Sequence, residues 1–289
     1  IGKYINRDSV HGKRDFLFKV LDSNTILLGG QIIKIINHRN PSEIHWKSFG
    51  VEYVFETTGC FLTQDKLDSH DVLHVLLSSP PKDDIKLFCY GVNHQEYKNQ
   101  KIISTASCTT NCIAPILDLC EKYLGGIEEA SFLTVHSATS SQSIVDTAHD
   151  KKRTNRGIFN NIIPHTTGAS KSLELIIPKL KNKIVGSSVR IPVSNVSMVD
   201  LNVRFSSEIS KDIFFKTIEK VHNKEIITIN SENCVSSDFM SCDVPCIIDY
   251  NSTQQISSKS LKIQLWYDNE WSYASQMIRM CCFMFYSTV

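Results

Sequence analysis

Ser107-Cys108-Thr109-Thr110-Asn111-Cys112 has the residue types and spacing for covalent chemistry. An apolar run ends just before it. Ile113, Ile116, Leu117, Cys120 and Leu124 then recur at helical spacing. Ser107 falls where an N-cap belongs. Cys108 therefore lies in the first turn of a predicted helix, among backbone N–H groups that have no helical partner. Those groups and the helix dipole favour a thiolate over a thiol. A thiolate there can add to an electrophilic carbon, and the adjacent N–H groups can hold the oxyanion that forms. A strand-like segment, 131–135, then delivers His136, a candidate proton acceptor. A free cysteine is ordinarily a small core residue, and a lone histidine is more often structural. The small polar residues around Cys108 suit a site better than a core. Pro115 removes one helical hydrogen bond and predicts a kink early in this helix.

The segments before the cysteine read as a strand series. Residues 16–20 and 25–28 predict strands, and Gly29-Gly30 turns the chain into 31–35. Asn40-Pro41 is a break, after which Ser42 predicts a capped short helix through Trp46. Residues 51–56 form a mostly apolar run, followed by a helix-like 65–70 and a strand at 74–77. Residues 85–89 and 101–103 complete the series. Buried strands alternating with short helices predict an open α/β sheet. Ligands bind beyond the carboxyl ends of such strands, where Thr57, Thr58, Gly59 and Ser78 stand.

After Gly126 the pattern changes. Residues 137–161 are long, polar and aperiodic, as functional loops are, and Lys151, Lys152, Arg153 and Arg156 make the stretch basic. A helix follows over 170–180, stopped by Pro178. Val199, Leu201, Val203 and Phe205 alternate with polar residues and predict a half-buried strand. Residues 213–221 read as an amphipathic helix and 261–266 as another alternating strand. The last predicted helix, 271–286, is unusually apolar from Met280 onward and must be covered by sheet or by a second subunit.

Composition narrows the function classes. The 289 residues suit one large or two ordinary domains, and a formal net charge of +1 provides no global field for nucleic acid or membrane. The basic loop lacks the interleaved aromatics of a nucleic-acid surface. No apolar run reaches membrane-spanning length, and no signal peptide is evident. The ten cysteines include no C-x-x-C pair, so no metal site is expected, and reduced thiols fit a cytoplasmic protein.

Residues 107–112 resemble the active-site signature of the glyceraldehyde-3-phosphate dehydrogenase family. The likeness continues in order through 8–12, Thr134-Val135-His136-Ser137, 161–164, Thr166-Thr167-Gly168-Ala169 with Lys171, 190–192, 195–197 and 266–271. The resemblance implies a phosphorylating aldehyde dehydrogenase that uses NAD, with NADP left open, and that works in glycolysis or gluconeogenesis. By resemblance, Cys108 would be the nucleophile and His136 the base. Thr139 and Arg190 would bind the substrate phosphate, and Ser107, Thr109, Thr167, Gly168 and Arg156 the attacking inorganic phosphate. Asn269 would hold the nicotinamide amide with Tyr273 beside the ring. Glyceraldehyde 3-phosphate would be the substrate, and the assembly a homotetramer. The implied fold is a Rossmann-like dinucleotide-binding domain over 1–107 and 270–289, with an α+β catalytic domain over 108–269 built on a mixed or antiparallel sheet.

Departures from the family pattern are also visible. No G-x-G-x-x-G occurs, so the Rossmann-like domain is expected to be incomplete at its N-terminal side. Thr105, Ser140 and Cys60 stand where the family usually has Asn, Asn and often Arg. Two other readings follow: an erythrose-4-phosphate dehydrogenase, or a truncated remnant without catalysis. The segment 167–169 looks more like the triose enzyme.

Overall fold

A computed structural model describes residues 2–148 and 153–288. Lys151 and Lys152, part of the predicted basic loop, lie outside the described residues. The chain opens with a one-turn helix α1 (Gly2–Ile5) and a short ladder of β1 (Arg7–Asp8) with β2 (Gly12–Lys13). An antiparallel meander follows: β3 (Phe18–Asp22), β4 (Thr25–Leu28) and β5 (Gln31–Lys34). The predicted helix at 42–46 is instead two 3-10 turns, Pro41–Glu43 and Trp46–Phe49. Asn40 caps the first, its Oδ1 accepting from the Ser42 N–H, so the carboxamide one residue before the proline takes the role assigned to Ser42.

The expected parallel sheet is present as β6 (Tyr53–Glu56), β7 (His74–Leu77) and β8 (Ile102–Ser104), in that spatial order. Helix α2 is shorter than predicted, Gln64–Leu67. Residues 85–89 do not form the predicted strand. Leu87 makes an isolated bridge to Ser104, while Asn93 occupies the neighbouring backbone groups. Its Oδ1 accepts from the Cys89 N–H at 2.8 Å and its Nδ2 donates to the Leu87 carbonyl at 3.0 Å. A side chain that bonds backbone groups in this way competes with sheet formation.

Helix α3 (Cys108–Tyr123) is one continuous helix with Pro115 inside it. Beyond it lies a seven-stranded sheet ordered β10-β11-β9-β12-β15-β14-β13. Its strands are β9 (Ile127–His136), β10 (Ile163–His165), β11 (Ile184–Arg190), β12 (Ser197–Phe205), β13 (Ile227–Asn230), β14 (Cys246–Ser257) and β15 (Ser260–Tyr267). The pairings β11–β9 and β13–β14 are parallel and the rest antiparallel, so the sheet is mixed. The alternation read at 199–205 is realised: every second residue of β12 is buried. Those residues join the apolar side of α3, including Ile113, Ile116 and Leu117, in the largest core cluster.

Helices α4 (Ala169–Ile176) and α5 (Lys211–Val221) complete this half, and a 3-10 turn at Pro178–Leu180 replaces the end of the predicted 170–180 helix. Helix α6 (Trp271–Thr288) returns to the parallel sheet. Met280 and Met284 are buried there with Leu76, Phe88 and Ile103, so sheet covers that apolar face as expected. Among the described residues no helix is long and apolar enough to cross a membrane.

Candidate active site

Cys108 is presented by a short, tightly held turn between β8 and α3. Ser107 is extended and its Oγ accepts from the Thr110 N–H at 3.2 Å, the predicted cap, which makes Cys108 the first residue of the helix. Ala106 just before it is buried with φ +59°, a conformation L-residues seldom adopt. Three contacts hold it there. Asn111 Nδ2 donates to the carbonyls of Thr105 (2.8 Å) and Ser107 (2.9 Å), and the Tyr273 hydroxyl donates to the Ala106 carbonyl (3.2 Å). Thr105, where the family usually has asparagine, places its Oγ1 2.9 Å from the same tyrosine oxygen.

His136 is the last residue of β9, and its Nε2 lies 3.5 Å from Cys108 Sγ. The parallel register of β9 and β11 sets Arg190 directly opposite His136. Nδ1 of His136 has two neighbours: the Ser137 carbonyl at 2.9 Å and Arg190 Nη1 at 2.5 Å. They define two tautomers. With Arg190 donating to Nδ1, the proton of a neutral ring sits on Nε2. With Nδ1–H donating to the Ser137 carbonyl, Nε2 offers its lone pair to the sulfur. Arg190 also donates to that carbonyl at 3.0 Å, while its buried Nε has no hydrogen-bond partner among the described residues.

Burial and the neighbouring guanidinium push His136 down to about 4, against the pull of the Ser137 carbonyl. Burial pushes the Cys108 thiol up, while the Thr109 N–H and hydroxyl, Arg190 and the cysteine's own N–H pull it down. Sulfur and imidazole thus begin close to neutral, in contact, with cationic and N–H donors around the place where charge develops.

The other sequence-predicted residues divide. Thr139 donates its N–H to Gln142 Oε1 (2.9 Å) and its hydroxyl lies 3.0 Å from Ser141. Thr167 Oγ1 accepts from the Ala169 N–H, and Gly168 opens α4 with free space where a Cβ would stand. Arg156 is exposed and paired with Asp146 at 2.8 Å, so its guanidinium is engaged outside the sulfur's contacts. At the carboxyl end of β6, Thr58 donates its N–H to Glu56 Oε1 at 2.8 Å, and Thr57 and Gly59 are exposed. Gly59 has φ +71°, and the space a side chain would fill is open. Ser78 donates its N–H to the Glu56 carbonyl (3.0 Å). Asn269 Oδ1 accepts from the hydroxyls of Ser137 (2.9 Å) and Ser197 (2.8 Å), a buried pair that fixes which way the carboxamide points. Val196, next to Ser197, is a β-branched residue at φ +67°.

Sequence reading missed Asn111, and also Ser137, Ser197, Thr134 and Tyr267, whose partners are distant in the chain. Asn111 lies inside the singled-out six-residue segment and bonds backbone carbonyls four and six residues before it.

A parallel sheet whose last strand leads into a helix-capped thiol, with an imidazole 3.5 Å from the sulfur, is an arrangement that suits a nicotinamide-dependent oxidoreductase. The described residues fit NAD: the strand-end turn at 57–59 is open, and Tyr273 lies against the nucleophile turn. Residues 107–269 match the glyceraldehyde 3-phosphate dehydrogenase C-terminal domain, and residues 1–64 match that family's NAD binding domain. The chain belongs to the glyceraldehyde-3-phosphate dehydrogenase family. Glyceraldehyde-3-phosphate dehydrogenase 1 of Bacillus cereus is 36% identical over 286 residues, covering 96% of this chain and 85% of the relative. The cytosolic enzyme of Ginkgo biloba is 39% identical, covering 96% and 84%, and that of Leishmania mexicana 38%, covering 94% and 83%.

Proposed function

We propose that this chain oxidises glyceraldehyde 3-phosphate to an acyl phosphate with reduction of NAD. The observation that carries the proposal is Cys108 Sγ at the N-terminus of α3, 3.5 Å from His136 Nε2. The sulfur adds to the aldehyde carbon and forms a thiohemiacetal. His136 Nε2 takes the hydroxyl proton as the carbon–hydrogen bond breaks and a thioester forms. NAD, when bound, accepts the hydride. A phosphate oxygen then attacks the acyl carbon, and the sulfur departs as thiolate.

Two anion sites serve this sequence. Arg190, whose buried Nε has no partner among the described residues, and Thr139 hold the substrate phosphate. Ser107, Thr109, Thr167, Gly168 and Arg156 receive inorganic phosphate, Arg156 after exchanging its Asp146 contact. Thr57, Thr58, Gly59, Ser78, Asn269 and Tyr273 serve the cofactor. Of these, Asn269 holds the nicotinamide amide and Tyr273 lies beside the ring. The domain division is 1–107 with 270–289 and 108–269, and the protein works in the cytoplasm as a homotetramer.

The test is turnover of the purified chain, followed by formation of reduced nicotinamide, with Cys108→Ser alongside. The wild type should prefer glyceraldehyde 3-phosphate to erythrose 4-phosphate and require inorganic phosphate. Cys108→Ser should lose at least roughly a thousandfold in kcat and form no acyl adduct by mass spectrometry. Retained turnover in that variant, or a preference for the four-carbon aldehyde, would overturn the assignment.

A further inference from the structure

Two groups are proposed to hold the substrate phosphate, and the structure leaves them in different states. Arg190 has a buried Nε with no partner among the described residues. Thr139 has no donor to spare. Its N–H and its hydroxyl converge on a single oxygen, Gln142 Oε1, at 2.9 and 3.1 Å. Gln142 is buried, and its own N–H donates to the Thr139 carbonyl at 2.9 Å, so the chain doubles back tightly over 139–142. The other end of the carboxamide is engaged as well. Nε2 donates to Ser141 Oγ at 3.0 Å, and that oxygen lies 3.0 Å from Thr139 Oγ1.

The polarity of this ring follows from the one donor in it that cannot rotate. A backbone N–H only donates, so the Gln142 atom that faces the Thr139 N–H is the oxygen. With the Thr139 hydroxyl proton on the same oxygen, the Ser141 proton goes to Thr139 Oγ1 and a Gln142 Nε2 proton to Ser141 Oγ. Each hydroxyl proton then has an acceptor inside the ring. The ring stands close to Arg190. The Ala138 N–H donates to the Val193 carbonyl, which seats Thr139 alongside the segment that follows Arg190, and Arg190 Nη1 donates to the Ser137 carbonyl. A backbone N–H and a hydroxyl aimed at one point are donors that a phosphate oxygen takes. Here a neutral carboxamide oxygen occupies that point.

We infer that Gln142 is a positioning residue that sets the strength of the substrate-phosphate subsite: its Oε1 is an internal ligand of Thr139, and the phosphate must displace it. This rests on the proposed role of Thr139 in holding that phosphate. The exchange favours phosphate, because a charged acceptor binds the same two donors more strongly than a carboxamide does. An aldehyde without phosphate gains nothing by opening the ring. Product release runs the exchange backward: Gln142 Oε1 retakes both donors as the phosphate leaves.

The experiment compares wild type, Gln142→Met and Gln142→Glu in the full chain, with glycerol 3-phosphate as the probe and calorimetry as the first readout. The probe carries a phosphate but no aldehyde, so its binding calls on no covalent step. Gln142→Met keeps the length of the side chain and removes the oxygen. Its Kd should fall about fivefold, the worth of one net hydrogen bond that no longer has to be broken. Gln142→Glu puts a charged acceptor on the same donors and should raise Kd at pH 7 by at least about tenfold. The second readout is the ratio of kcat/KM for glyceraldehyde 3-phosphate to that for unphosphorylated glyceraldehyde. It should rise about fivefold in Gln142→Met and fall by at least about tenfold in Gln142→Glu. A glutamine that only braces the loop would weaken binding in both variants. That result overturns the inference, as does an unchanged Kd in both. On a Thr139→Val background the gain from Gln142→Met should shrink, because the two side chains share one contact. If Thr139→Val leaves Kd unchanged, the reading of Thr139 as a phosphate ligand fails and takes the inference with it. If Thr139→Val weakens binding while Gln142→Met does not tighten it, the inference alone falls.

Discussion

Acid should destabilise this chain through His136, and the size of the effect follows from the site. Burial and Arg190 hold the imidazole at about 4, against its ordinary 6.5. A histidine whose folded value is depressed contributes stability that is complete above the unfolded value and is lost as pH falls toward the folded one. The relevant window is therefore pH 6.5 down to about 4. At ~1.4 kcal/mol per pH unit, the full interval is worth roughly 3 kcal/mol, and about 2 kcal/mol of it is gone by pH 5. The assay is urea unfolding of wild type and His136→Gln at pH 7 and pH 5, at one fixed protein concentration because assembly shifts apparent stability. His70 and His94 are also lowered by burial, but they titrate alike in both proteins and cancel. Wild type should lose about 2 kcal/mol more than the variant between the two pH values. Equal losses would refute the neutral, Arg190-capped imidazole. A direct NMR titration of His136 near or above 6.5 would do the same, and the resting site would then be an imidazolium paired with the Cys108 thiolate.

Two further substitutions test how the framework holds the site. Gly186 on β11 faces Phe132 on β9, and an alanine methyl there would overlap the buried ring, so Gly186→Ala should cost about 1–3 kcal/mol in chemical denaturation; an unchanged midpoint would contradict that packing. Ser107→Ala removes the N-cap of α3 and should cost about 1 kcal/mol of stability while raising the KM for inorganic phosphate. A loss of stability with no change in KM would confine Ser107 to capping.

Local features were readable where a short stretch fixes its own structure. Ser107 caps α3 because its hydroxyl reaches an N–H three residues on, and this needs no tertiary partner. The alternation over 199–205 became β12 because one side of it faces core wherever the strand pairs. The apolar run at 85–89 misled for the opposite reason: Asn93, four residues downstream of Cys89, takes the backbone groups that a neighbouring strand would have used. Strands β11 and β14 were not anticipated. β11 shows no clean alternation of burial, and β14 is interrupted by register shifts and turns polar in its second half, so both depend on partners far along the chain.

The sequence by itself determined the place of Cys108 at a helix start and the order of family segments around it, because each of these is written in consecutive residues. Only the tertiary structure decided how the groups meet. Arg190 reaches His136 because two parallel strands align in a single register, 54 residues apart in the chain. Tyr267 links Thr109 to Thr134 across separations of 158 and 133 residues. Those contacts are fixed by strand pairing and core packing between distant segments, whose geometry no short stretch of sequence specifies.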